Sequence, residues 1–202
     1  MEARPDTGIP RPARRLYVVR HGETEMSTQR SYSGRREIPL TETGREQARR
    51  VGERLRDAGV DAIYSSPLSR AADTARAIAE ATGAPLRIDQ RLTEVDYGPL
   101  EGLDREGARE RFGDAYQAWR EDPMGSPMPG TEPLVEALER ARNVTAEAVA
   151  ECQCPVLVGH QGILRLVLVA LGRIEADDYF NTRLQEAEPI EITSPVVAPV
   201  RG

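Results

Sequence analysis

The chain has 202 residues, a formal net charge of −6 and 39% hydrophobic residues, which suits one globular domain with a real core and argues against a nucleic-acid-binding surface. All 27 basic residues are arginine. The lack of lysine excludes a Schiff-base amine, a pyridoxal-phosphate site and a Walker-type phosphate loop.

In chain order, residues 1–14 hold three prolines and no apolar periodicity, and they are expected to be a flexible tail rather than a signal peptide. Residues 16–19 (LYVV) predict a buried strand that ends at Arg20-His21-Gly22. A capping box of Thr43 with Glu46 is expected to open a helix with Ala48, Val51, Leu55 and Ala58 on one face. "VDAIYSS" reads as the second strand, and "PLSRAADTARAIAEATG" as a helix from Pro67 to a stop at Gly83. "PLRIDQRL" predicts a third strand. Helices are expected over 106–120 and 131–151, separated by a Pro/Gly loop at 121–130. "PVLVGH" predicts a strand running into a helix over 162–171, and "EAEPIEIT" a last strand before a second tail at 194–202. Such alternation implies an α/β three-layer sandwich, a mostly parallel central sheet with helices on both faces, formed by a single domain at 15–193.

Cys152 and Cys154 have neither redox nor zinc-knuckle spacing and read as reduced thiols of a cytoplasmic protein. The longest apolar run, 163–171, is interrupted by Arg165 and too short to span a membrane.

The chain contains only two histidines, and each ends an apolar strand with a glycine close behind. In parallel sheets ligands bind beyond the carboxyl ends of the strands. There cluster Arg20, His21 and Gly22, then Ser65, Ser66 and Arg70, then Glu94, then His160, Gln161 and Gly162. Arginine presents a planar fork that matches phosphate oxygens, so Arg20 and Arg70 read as an anion clamp. The helix after His160 is expected to offer its first amides to the same anion. A histidine titrates near neutrality and serves as nucleophile, base or acid; Glu94 is placed to be the general acid.

The segments "LYVVRHGETE", "IPLTETGREQA", "IYSSPLSRAADTA", "LTEVDYGPLEG" and "VLVGHQGILR", in this order over 16–171, resemble the signature segments of the histidine phosphatase superfamily, in particular its branch of cofactor-dependent phosphoglycerate mutases and related small-molecule phosphatases. The resemblance implies that His21 is transiently phosphorylated, that His160, Arg20 and Arg70 hold the phosphoryl group, and that Glu94 protonates the leaving group. It also implies that Ser33, Gly34, Tyr97, Arg105 and the backbone of Gln161 and Gly162 line the substrate side. Two departures stand out. Met26 and Ser27 replace a usual tryptophan and phosphate-contacting asparagine, Ser27 keeping a hydrogen-bonding group. "PGTEPL" replaces a Gly-Gly-Glu-Ser stretch.

The expected function is hydrolysis of a small phosphomonoester, such as a sugar phosphate, through a phosphohistidine on His21, with no cofactor and no metal. The partner is a small phosphorylated metabolite, with neither nucleic acid nor membrane involved, and the assembly is expected to be a homodimer by default. A phosphoglycerate mutase is the alternative within the family. A non-catalytic phospholigand-binding module is the alternative of another class, disfavoured because a pure binder needs no nucleophile and acid together. A metallohydrolase is disfavoured because the histidines lack ligand spacing.

Overall fold

The computed structural model describes residues 13–198, so most of the expected N-terminal tail and residues 199–202 lie outside the described residues. Five strands, β1 (Arg15–Arg20), β2 (Ala62–Ser65), β3 (Leu86–Ile88), β4 (Pro155–Gly159) and β5 (Pro189–Thr193), form one sheet in the order β3-β2-β4-β1-β5. The first four are parallel, and β5 runs antiparallel beside β1. The helices are α1 (Glu25–Thr28), α2 (Glu42–Leu55), α3 (Ser69–Thr82), α4 (Arg105–Glu121), α5 (Leu134–Glu151) and α6 (Gln161–Ala170).

The pleat sends successive side chains of β1 to opposite faces. Leu16 and Val18 join Tyr64, Leu157 and residues of α4, α5 and α6 in one core, whereas Tyr17 and Val19 join Val51, Leu55, Ile78 and Val158 against α2 and α3. The expected sandwich with helices on both faces is therefore present. Each fully buried aliphatic side chain contributes about 1.5–3 kcal/mol, and β1 and β4 are buried on both faces.

Several element boundaries differ from expectation for local reasons. The N-cap of α2 is Thr41, not Thr43: its hydroxyl accepts from Gly44 N (3.0 Å) and donates to Glu23 Oε1 (2.7 Å), and this second, tertiary partner selects it. The third strand stops at Ile88 because the Asp89 side chain accepts from Arg91 N (2.8 Å), diverting the backbone into a 3₁₀ turn. α3 starts at Ser69 rather than at Pro67, and Glu37 from a distant loop caps it, accepting from Ser69 N (3.1 Å) and Oγ (2.7 Å). Gly83 ends it in the left-handed conformation, as expected. Gly113 (φ 49°, ψ −123°) breaks α4 into two arms. α5 begins at Leu134, after Pro133, because Thr131 is drawn into a turn with Met128.

Residues 194–198 do not leave the body: Ser194 N donates to Arg14 O and Ala198 N to Ala170 O, both at 2.8 Å. Cys152 and Cys154 are buried free thiols whose burial pushes their pKa values up. Among the described residues no helix is long and apolar enough to cross a membrane.

Candidate active site

Strand order explains why both histidines carry the same local pattern. β4 is inserted between β1 and β2, with Arg20 in register with Gly159. The residues that follow, His21 and His160, thus emerge side by side, with ring centroids 5.2 Å apart. Ser66, following β2, joins them through its N–H to Val158 O (3.1 Å).

His21 is 5% exposed, and its Nδ1 lies 2.7 Å from its neighbour's carbonyl, Gly22 O. A carbonyl only accepts, so the proton sits on Nδ1 and the Nε2 lone pair is the free one. Burial, then the Arg20 and Arg70 cations, hold the pKa of His21 well below the ordinary imidazole value, and the ring stays neutral at neutral pH.

His160 is fully buried and differently placed. Arg70 Nε donates to its Nδ1 (3.1 Å); a guanidinium cannot accept, so Nε2 carries the proton and donates to Ser66 Oγ (2.7 Å). Burial, followed by Arg70 and His21, lowers its pKa too. Both nitrogens are therefore engaged inside the protein. Arg70 is aimed in turn by Arg36 O (2.7 Å) and Gly34 O (2.9 Å). One helical turn on, Thr74 Oγ1 donates to Arg70 O (2.8 Å) and accepts from Gly22 N (3.1 Å), tying α3 to the loop after His21.

Arg20 is gripped along one edge. Its Nη1 donates to Gln161 Oε1 (3.1 Å) and Leu184 O (3.0 Å), and its Nη2 pairs with Glu186 Oε1 (3.0 Å). Its Nε is buried and has no partner among the described residues. A buried N–H without an acceptor is costly unless a ligand supplies one. Burial lowers the pKa of Arg20, opposed by Glu186, and the side chain remains a cation at neutral pH.

Glu94 accepts three backbone amides: Val95 N (2.8 Å) and Ile163 N (2.9 Å) on Oε1, and Gly162 N (2.9 Å) on Oε2. The first amides of α6, expected to face the substrate anion, are thus taken by the protein's own side chain, the carboxyl group of Glu94. Gly162 is required here, since a methyl on its Cα would overlap Tyr97 Oη and Glu94 Oε1. One side of Oε2 is left without a backbone donor, and that is where a proton can be carried.

Tyr97 is buried edge-on against Tyr32 (5.0 Å between centroids), and burial, then the Glu94 charge, keep its phenol protonated. Tyr32 Oη meets Tyr116 Oη at 2.9 Å. Beyond them a cleft of about 650 Å³ runs along α4 and carries both signs of charge, Arg105, Arg109 and Arg120 with Glu106, Glu110 and Glu121, beside Tyr116 and Gln117. The structure thus brings Arg20, His21, Arg70, Glu94, His160 and Gly162 together, with Gly34 lending a carbonyl to Arg70. Gln161 is there too, but its amide orients Arg20 and bonds to Thr182 O (3.2 Å) and Leu184 N (3.3 Å). The Ser27 hydroxyl completes the cap of α1, accepting from Thr24 N (3.0 Å), and Ser33 sits in a turn, its carbonyl accepting from Arg36 N (3.3 Å). Arg105 is exposed on the α4 cleft.

Sequence reasoning missed Thr74 and Glu186, and gave Ser66 no role. Thr74 lies at i+4 from Arg70 and was open to detection by helical spacing. Glu186 carried no local signal. Among the described residues no group of three or more His, Cys, Asp or Glu is placed to hold a metal ion.

An imidazole with a free lone pair beside an unsatisfied guanidinium N–H, at the carboxyl edge of a parallel sheet, is the arrangement of an α/β enzyme that handles a tetrahedral anion. The sequence pattern of the histidine phosphatase superfamily (branch 1) matches residues 16–194, and the chain belongs to that family and is an enzyme of its type. Over 180 residues it is 32% identical to a Hydrogenobacter thermophilus protein with a provisional phosphoserine phosphatase name, 89% of each chain being covered. Over 187 residues it is 30% identical to the 2,3-bisphosphoglycerate-dependent phosphoglycerate mutase of Nitrobacter winogradskyi, covering 88% of this chain and 90% of that one. Among solved structures, mycobacterial glucosyl-3-phosphoglycerate phosphatase superposes with a TM-score of 0.78 at 32% identity, covering 89% of this chain and 90% of the other.

Proposed function

We propose that this enzyme hydrolyses a small phosphomonoester in two steps through a phosphohistidine on His21. The observation that carries this reading is the free Nε2 of His21, buried beside the unpartnered Nε–H of Arg20. Nε2 attacks phosphorus and the bond to the leaving oxygen breaks, with Glu94 delivering the proton that oxygen needs. Water then attacks the phosphohistidine, gives its proton to Glu94 and releases phosphate. Arg20 and Arg70 neutralise the charge on the equatorial oxygens, which is where phosphoryl transfer draws most of its catalysis. His160, held by Ser66 and Arg70, sets the direction of Arg70.

Hydrolysis is favoured over isomerisation by the connection between α4 and α5, residues 122–133. A mutase must shelter its phosphohistidine from water until the second hydroxyl arrives, and this segment is short for that cover. With 3-phosphoglycerate and its bisphosphate as substrates, free phosphate is expected to appear faster than 2-phosphoglycerate; isomer forming much faster than phosphate would establish the mutase instead. The substrate panel begins with phosphoserine, 3-phosphoglycerate and glucosyl-3-phosphoglycerate, the compounds in the names of the relatives, and extends to sugar phosphates and nucleotides.

The arginines and histidines supply the positive charge of the site, so a divalent ion has no role in this scheme. Dialysis against a chelator is expected to leave the rate unchanged. A loss restored by magnesium or zinc would replace the scheme with a metal-assisted one. We place the enzyme in the cytoplasm, in line with its two free thiols.

A further inference from the structure

We propose that Glu132 and Arg140 are positioning residues for Glu94: their ion pair grips the backbone on both sides of the acid and sets where its carboxyl sits. This rests on the reading of Glu94 as the general acid.

Arg140 Nε and Nη2 meet Glu132 Oε1 and Oε2 at 2.7 and 2.9 Å, a two-point pair of planar groups. The side chains are only 17% and 12% exposed, so solvent screens this pair far less than the surface pairs of α2. The other Arg140 donors go to main-chain carbonyls: Nη1 to Arg91 O (2.7 Å) and Thr93 O (2.6 Å), and Nη2 to Glu94 O (3.4 Å). All five guanidinium N–H groups are then used. Glu132 holds the far side. Its Oε2 accepts from Asp96 N (3.1 Å), and its own N–H donates to Asp96 O (2.8 Å).

The acid therefore sits between two clamps, at 91–93 and at 96, that are themselves locked together. Its carboxylate is fixed from the opposite direction by the first amides of α6. Arg35 extends the network, with Nη2 on Glu132 Oε2 (3.2 Å) and Nε on Glu94 O (3.4 Å). Behind it the α4–α5 connection is pressed onto the same segment: Gly98 (φ +45°) lies so close to Gly130 O that a methyl on it would overlap that carbonyl. Burial works against the Glu132 charge, but Arg140 outweighs it and holds the carboxyl below its ordinary range.

A geometric device of this kind acts on proton delivery alone. A general acid displaced by a fraction of an ångström still leaves His21 and the arginines intact. The loss then falls on substrates whose leaving group needs a proton.

The test is kcat/KM for an alkyl phosphate and for 4-nitrophenyl phosphate in Glu132→Gln and in Arg140→Lys, with Tm recorded for each; the lysine variant keeps the charge should the glutamine variant not fold. The alkyl substrate is expected to lose about tenfold to a hundredfold and the aryl substrate less than about threefold. In a Glu94→Gln background neither change should add a selective loss, because the group being positioned is gone. Equal losses on both substrates, or none, would overturn the positioning role. If Glu94→Gln itself shows no leaving-group selectivity, it is the reading of Glu94 that fails, and that outcome is read from the single variant alone.

Discussion

Replacing His21 with alanine is expected to lower kcat/KM by about 10⁴-fold or more, the scale seen when a covalent nucleophile is removed. The physical reason is that no other group takes over its role. Both nitrogens of the neighbouring His160 are engaged, one by Arg70 and one by Ser66, so it offers no lone pair at the place where the Nε2 of His21 stood. Acid-labile phosphate on the protein, trapped by rapid quench, is expected in the unaltered enzyme and absent from the variant. The variant should still bind phosphate, because Arg20 and Arg70 are held by contacts that do not involve the His21 ring. Turnover within about tenfold of the original, or a phosphoenzyme surviving the substitution, would move the nucleophile elsewhere.

Removing the acid should give the second largest effect. Glu94→Gln is expected to reduce kcat/KM for alkyl phosphates by about 10²–10⁴-fold, the usual contribution of a placed general acid. Glutamine fits the space but presents an amide where the carboxyl accepts Gly162 N or Ile163 N, and it has no proton to give. The aryloxide of an activated aryl phosphate leaves as a stable anion without a proton, so that substrate should lose less than about tenfold in the same ratio. kcat/KM is the quantity to compare, since it stops at the first phosphoryl transfer and is blind to the later attack of water. Equal losses on the two substrates would reduce Glu94 to a cap on α6.

The alternation of apolar runs and amphipathic stretches was enough to read a parallel sheet covered on both faces. Strands that end at Arg20-His21 and at Gly159-His160 placed both imidazoles at the sheet's carboxyl edge. That much is local: hydrophobic period, β-branching and glycine position are properties of neighbours along the chain. Boundaries went wrong where a distant group intervened, as Glu23 did in choosing Thr41 over Thr43, or where a side chain captured its own backbone, as Asp89 did at the end of β3.

What only the tertiary structure decided is how each side chain is used. The residues 20, 21, 70, 94 and 160 come from four separate segments, and the order β2-β4-β1 is what sets them against one another. Sequence named Arg20 and His21 but held nothing about the bond to Gly22 O that frees Nε2, or about Glu186 and Leu184 taking the other edge of the guanidinium. It pointed the amides of α6 at a substrate, whereas folding brought Glu94 there first. Hydrogen bonds between segments 34 to 164 residues apart have no periodic trace in the chain. They arise from three-dimensional proximity, and it is there that a cluster of reactive residues becomes an ordered site.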